Sequence, residues 1–330
     1  MKQLKRLDYI DEMKGFAILL VTMGHIYYRN TMEGTEHPIA QMIYSFHMSF
    51  FFFLSGYMLA KTHASNKVLT SFLLKKLQTL ILPWFSFSVF VKIFTPPYSC
   101  DVNFDSLLFY PVNGYWFLPL LFIFMMLWLI LNQYSGGINL VRRKELVLNI
   151  LIIGIMAIIG GALHLYHMII YSIYYAAFIF GYFLSNTKWL ESVCRKKSVY
   201  GVAALILVLA WKLGPIDTCG GIMRRSMLNL VYNAVCSMTA CIVFYNLFLN
   251  IQMPHFAKRY LQETGKYSLA IYLIPVIILP VDYILPGNWT FSSINIAILV
   301  ISILVNVACY CIGRVLMEIP YLNFILFGKR

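Results

Sequence analysis

Residues 39–60 read IAQMIYSFHMSFFFFLSGYMLA, a run of 22 residues without Lys, Arg, Asp or Glu. A helix of this length rises about 33 Å, enough to cross a hydrocarbon core of about 30 Å. Backbone groups inside a bilayer have no water to bond, so a spanning segment must satisfy them internally, as a helix does. The run therefore predicts a transmembrane helix.

The rest of the chain has the same character, with 60% hydrophobic and 12% charged residues and a mean hydropathy of +0.74. This composition excludes a soluble domain. We predict an all-α polytopic integral membrane protein with about ten transmembrane helices and one membrane-embedded domain over residues 1–330. The predicted spans are 13–29, 39–60, 70–94, 114–132, 146–163, 167–185, 199–213, 227–250, 267–285 and 291–314.

Charge placement predicts the orientation of these spans. Twenty of the 26 Lys and Arg residues lie in segments on the side of the N-terminus, and loops rich in Lys and Arg stay in the cytoplasm. Both termini are therefore predicted to be cytoplasmic, in a multi-pass protein of a cell membrane. The basic residues form no single stripe, which argues against a nucleic-acid partner. The first span also resembles a signal peptide, but we expect it to be kept as a mature helix.

The seven cysteines contain no C-x-x-C pair and no zinc-ligand spacing, so the sequence predicts no metal site. Cys100 and Cys219 both fall in predicted outer loops. A disulfide between them and two independent thiols both remain open, and the thiols are favoured.

Ionisable residues at the mouth and inside the first span are the strongest functional signal, because such groups are expensive in a membrane. Lys14 and His25 are eleven positions apart, so they share one helix face with about 16 Å between them. Asp11 can pair with Lys14 across one turn. Lys14 reaching toward the interface and His25 bonding a neighbouring helix are the structural alternatives.

His47 lies in the second span, which runs in the opposite direction. Counted from the outer ends of their spans, His25 and His47 reach a similar depth, so they are predicted to share one cavity. A neutral imidazole accepts a hydroxyl proton near neutral pH, and this indicates group transfer to an alcohol. His37, His164 and His167 are expected on the outer side, in solvated loop or interface positions.

Five motifs, spread over about 270 residues, resemble the acyltransferase-3 family of integral membrane O-acyltransferases that modify bacterial surface polysaccharides and related glycans. The motifs are Asp8-Tyr-Ile-Asp-Glu-Met-Lys-Gly15 with His25, Phe46-His-Met-Ser-Phe-Phe-Phe-Phe-Leu-Ser-Gly-Tyr57, Lys75-Lys76 before Leu82-Pro-Trp84, Gly114-Tyr-Trp-Phe-Leu118, and Gly265-Lys-Tyr-Ser-Leu-Ala-Ile-Tyr-Leu273. The family usually has Arg where this chain has Lys14. Lysine keeps the charge and loses the bidentate fork.

The resemblance implies a cytosolic acyl-CoA donor, commonly acetyl-CoA, and no permanently bound cofactor. It also implies a carbohydrate acceptor, either a surface polysaccharide or a lipid-linked glycan, in a bacterial cytoplasmic membrane. His25 and His47 are then the expected catalytic residues. The expected donor-binding and substrate-binding residues are Asp11, Lys14, Lys75, Lys76, Tyr115 and Trp116.

Two other classes of protein fit the same residues. A transporter or flippase of a polar glycan or small solute would use Lys14 and His25 as an intramembrane charge relay. A membrane scaffold would need neither residue for chemistry. Dependence on the acyl donor separates the enzyme from both alternatives.

Overall fold

The structure is a computed structural model and describes residues 8–30, 37–62, 69–94, 115–134, 141–163, 165–214, 227–275 and 290–329. Every regular element in these ranges is helical. The α-helices are α1 Asp8–Asn30, α2 Pro38–Tyr44, α3 His47–Thr62, α4 Leu69–Lys76, α5 Leu82–Phe94, α6 Phe117–Tyr134, α7 Val141–Ala162, α8 Tyr166–Asn186, α9 Lys188–Cys194, α10 Lys197–Leu213, α11 Met227–Asn250, α12 His255–Lys266, α13 Ser268–Leu273, α14 Phe291–Glu318 and α15 Pro320–Phe327. A π-helical segment, Leu77–Ile81, joins α4 to α5.

The predicted all-α membrane class is confirmed, because five helices in the described ranges are long and apolar enough to cross a membrane. These five are Pro38–Lys61, which joins α2 and α3, together with Lys144–Ala162, Met168–Asn186, Asn229–Asn250 and Phe291–Glu318. Phe117–Asn132 is a shorter apolar helix. The total of ten spans and the cytoplasmic placement of the termini stay predictions.

Contacts between residues divide the chain into two compact units. The first unit contains α1–α3, α7 from Ile153, α8–α12 and α14 as far as Val307. The second unit contains α4–α6, the start of α7, α13 from Leu269, the end of α14 and α15. The single domain over residues 1–330 stays a prediction.

In the first unit, two glycines allow α3 and α8 to touch through their backbones. A Cβ atom at Gly56 on α3 would lie 2.8 Å from the carbonyl carbon of Phe178 on α8. A Cβ atom at Gly181 on α8 would lie 2.8 Å from the carbonyl carbon of Phe53 on α3. Contacts this short are possible only without a side chain, so α3 and α8 pack closely enough to fix the position of α3.

The predicted span 39–60 is interrupted by a turn. Helix α2 ends at Tyr44, and α3 begins at His47. The backbone N–H of Phe46 donates to the carbonyl of Ile43 at 3.3 Å, a three-residue spacing that tightens the chain between the two helices. His47 is therefore the first residue of α3, and the turn determines where its ring lies.

In the second unit, α15 packs against α5, and the π-helical segment contacts α4, α5 and α6. Gly328 follows α15 with a φ of 62°, and its N–H donates to the carbonyl of Phe324 at 2.9 Å. A glycine in this left-handed conformation is the common end of a helix. A Cβ atom there would also lie 2.6 Å from the carbonyl carbon of Gln78, so the end of α15 lies directly on the π-helical segment.

Candidate active site

Helix α1 carries three of the predicted site residues. Asp11 is buried, while Lys14 and His25 are half-buried. Next to Lys14, the backbone of Gly15 meets α12: a Cβ atom there would lie 2.7 Å from the carbonyl carbon of Leu261. In return, a Cβ atom at Gly265 would lie 2.7 Å from the carbonyl carbon of Asp11. The segment that holds Asp11 and Lys14 is therefore fixed against α12 by two glycines.

His47 is buried, and its ring is anchored to the turn before it. The Nδ1 atom lies 2.8 Å from the carbonyl oxygen of Ile43. A carbonyl oxygen can only accept a hydrogen bond, so Nδ1 carries the proton and donates. The neutral ring then has its lone pair on Nε2, which is able to accept a proton or a hydrogen bond from another molecule.

The packing of α1 against α2 brings the two predicted catalytic histidines into the same region of the first unit. The hydroxyl of Tyr44 donates to the carbonyl of Gly24 at 3.1 Å, directly before His25 in the chain. The ring of Tyr44 also contacts the ring of His47 edge-on, with 5.1 Å between centroids. Tyr44 therefore contacts both the backbone next to His25 and the ring of His47.

A glutamate beside Asp11 was not selected from the sequence, although it is almost fully buried. The Nε2 atom of Gln262 donates to Oε1 of Glu12 at 2.8 Å, and Nζ of Lys258 lies 3.7 Å from the same oxygen. Both partners belong to α12. A run of acidic residues at the mouth of an apolar helix is the signal that would have pointed to Glu12.

Three tyrosines link α1 to other helices of the first unit near the start of α1. The hydroxyls of Tyr9 and Tyr57 lie 2.9 Å apart, and the ring of Tyr57 contacts that of Tyr245, with 5.7 Å between centroids. Tyr245 in turn donates to Oε1 of Glu191 at 3.2 Å. Tyr57 ends the second motif that carries the family resemblance, and the structure pairs its hydroxyl with that of Tyr9.

His37 differs from the expectation of a solvated histidine: it is buried with 3% of its surface exposed. Its ring stacks between Tyr27 and Phe291, at centroid distances of 4.7 Å and 5.2 Å. Its Nδ1 atom accepts a hydrogen bond from the backbone N–H of Ile39 and caps α2. The prediction was wrong because aromatic neighbours distant in the sequence shield the ring. Cys100, Cys219 and His164 lie outside the described residues, as does the side chain of His167.

The remaining predicted residues lie in the second unit. Lys75 is exposed, whereas Lys76 is half-buried, with Nζ 5.4 Å from the ring centroid of Phe72. Of the two, Lys75 is the more accessible cation.

Tyr115 is buried in the second unit, and its hydroxyl donates to the carbonyl of Leu273 at 2.6 Å. That bond joins two of the family motifs and occupies the hydroxyl proton. Trp116 is half-buried. The roles of Lys75, Lys76, Tyr115 and Trp116 in binding stay predictions.

Comparison with known proteins gives one match. A family model described as an acyltransferase domain, of the acyltransferase-3 type, matches residues 7–311. No curated protein and no solved structure matches the chain. The matched range includes all eight predicted site residues.

Proposed function

Because the chain belongs to the acyltransferase-3 family, we propose that it is a membrane O-acyltransferase that uses acyl-CoA, with acetyl as the first acyl group to test. The proposed acceptor is a hydroxyl of a cell-surface or lipid-linked carbohydrate, and the proposed membrane is the cytoplasmic membrane of a bacterium. The observation that carries this proposal is the histidine pair. Tyr44 links the two: its hydroxyl donates to the carbonyl of Gly24, next to His25, and its ring contacts the ring of His47.

In this proposal His25 is the general base. It removes the proton from the sugar hydroxyl as the oxygen attacks the thioester carbonyl. The new C–O bond forms, the C–S bond breaks, and the proton passes from His25 to the leaving thiolate, which gives free CoA and an ester.

His47 has the complementary task. Its Nδ1–H is committed to Ile43, so the neutral ring offers the Nε2 lone pair to an acceptor hydroxyl. A hydrogen-bond acceptor held in a fixed position orients the sugar. Orientation within a bound complex supplies a large share of the rate enhancement in group transfer. His47 therefore acts as a binding partner of the carbohydrate while His25 takes the proton.

The donor phosphates need cations, and the proposal assigns this role to Lys14. The same role for Lys75 and Lys76 stays a prediction from the sequence. A phosphate accepts charge-assisted hydrogen bonds from ammonium groups, which are about twice as strong as neutral ones. Each lysine acts as a point charge without the bidentate geometry of arginine. Asp11, buried three residues before Lys14, limits the positive charge at this end of α1.

The test uses purified protein in liposomes with labelled acetyl-CoA and a mixture of carbohydrate acceptors. Mass spectrometry measures CoA release and acylated product. We expect His25→Ala to reduce CoA release by about 10²–10⁴-fold, the usual contribution of a general base. His255→Ala is the matched control, because His255 is exposed on α12 and should leave the rate unchanged. Acceptor flux without CoA release would support the transporter instead.

A further inference from the structure

The turn before His47 is held by three serines and one tryptophan: Ser45, Ser49, Ser237 and Trp211. We call this group the hydroxyl cluster. All four belong to the first unit. Ser45, Ser49 and Ser237 are buried, with at most 3% of their surface exposed. Buried hydroxyls in a membrane-spanning region need partners, so their hydrogen bonds define how the turn is fixed.

Ser45 lies in the turn itself and receives a hydrogen bond from α10. Its hydroxyl donates to the carbonyl of Met42 at 2.7 Å, and the indole Nε1–H of Trp211 donates to Ser45 Oγ at 3.3 Å. Tyr232 and Cys236 of α11 also contact the Ser45 side chain. The last turn of α2 is thereby tied to two helices outside the α2–α3 pair.

Ser237 on α11 bonds to both sides of His47. Its hydroxyl donates to the backbone carbonyl of Ser45 at 3.1 Å, two residues before His47. The Oγ atoms of Ser237 and Ser49 lie 2.7 Å apart. Since the single proton of Ser237 is already donated to Ser45, Ser49 is the donor in this second bond. One side chain therefore links the turn to the first turn of α3.

We propose that Ser237 and Trp211 are positioning residues for His47, and this rests on the proposed function. The His47 ring is anchored to Ile43, which belongs to α2, whereas its backbone belongs to α3. The direction of Nε2 consequently depends on how the end of α2 and the start of α3 are held relative to each other. The hydroxyl cluster sets that relation through hydrogen bonds from α10 and α11.

The proposal predicts a specific kinetic effect of Ser237→Ala. Loss of both hydrogen bonds lets the turn relax and misdirects Nε2, so kcat for acyl transfer should fall by about tenfold. KM for acetyl-CoA should not change, because the proposal assigns the donor phosphates to Lys14 and not to the hydroxyl cluster. Ser237→Cys keeps a weak donor and should recover part of the rate. Trp211→Phe should give a smaller fall in kcat of the same kind.

Ser172→Ala is the matched control. Ser172 is also a buried serine in a helix of the first unit, but its hydroxyl donates to the carbonyl of Ile169 in its own helix. The proposal is overturned when Ser237→Ala has the same kcat as Ser172→Ala. It is equally overturned when activity falls only in proportion to the amount of folded protein recovered.

A second measurement separates this proposal from the proposed function. Diethyl pyrocarbonate transfers an ethoxyformyl group to an unprotonated imidazole nitrogen, with release of ethanol and carbon dioxide. Mass spectrometry gives the rate of modification of His47 relative to exposed His255. Ser237→Ala should raise this ratio several-fold, and Ser172→Ala should not. An inactive wild-type protein would refute the proposed function, whereas an unchanged ratio would refute the positioning of His47.

Discussion

Alanine at Gly15 or Gly265 would place a methyl group against the backbone of the opposite helix. Around Gly15, a Cβ atom would lie 2.7 Å from the carbonyl carbon and 2.8 Å from the Cα of Leu261. Around Gly265, it would lie 2.7 Å from the carbonyl carbon of Asp11. Carbon atoms are normally separated by about 3.5–4.0 Å, so α1 and α12 would have to move apart by about 1 Å.

The energetic effect follows from this displacement. Overfilling a packed interface usually costs about 1–3 kcal/mol, so each single variant should lose that much stability. The double variant should lose less than the sum, because one separation of the helices relieves both contacts. A shift of about 1 Å in a substrate-positioning element can also reduce activity by about 10², and Lys14 is adjacent to Gly15.

Thermal unfolding in detergent, followed by size-exclusion chromatography, measures the stability. We expect the midpoint temperature of unfolding to fall by several degrees, because each kcal/mol shifts it by about 2–4 °C in chains of 150–250 residues. Gly201→Ala is the control: a Cβ atom there has open space around it, so helix propensity alone should act, in the stabilising direction. A Gly15→Ala protein as stable as Gly201→Ala would refute the close approach of α1 and α12.

Two further substitutions test buried polar bonds of the first unit by the same unfolding assay. Tyr57→Phe removes the bond to Tyr9 and should destabilise by about 1–3 kcal/mol, whereas Tyr28→Phe, at a 60% exposed position, should not. Thr22→Val removes the donor to Oδ1 of fully buried Asn306 at 2.6 Å and should cost about the same. Wild-type stability in either variant contradicts the corresponding bond.

The helical class and the positions of five spans could be predicted from the sequence, since a bilayer leaves the backbone few ways to satisfy its polar groups. Breaks in the regular α-helix within a span could not be predicted from the sequence. The turn at Ser45 and Phe46 contains no Gly or Pro, so nothing in the span 39–60 marked its interruption. The π-helical segment Leu77–Ile81 likewise has an ordinary apolar sequence.

Counting residues from the ends of two antiparallel spans predicts that His25 and His47 lie at a similar depth, and the contacts of Tyr44 with Gly24 and His47 fit that count. Other parts of the site depend on contacts over great sequence separation. Gly15 meets α12 about 250 residues later, and Ser237 reaches the turn before His47 across almost 200 residues. Single-sequence patterns carry no information about which helix becomes the neighbour.

Mass spectrometry of surface glycans tests directly whether the protein transfers an acyl group to a carbohydrate and needs His25 to do so. Three strains of the source organism are compared: a deletion strain, the same strain with the wild-type gene restored, and one with His25→Ala at equal protein abundance. We expect one acyl mass to be lost on deletion, to return with the wild-type protein and to stay absent with His25→Ala. Identical glycans in all three strains, or full acylation with His25→Ala, would contradict it.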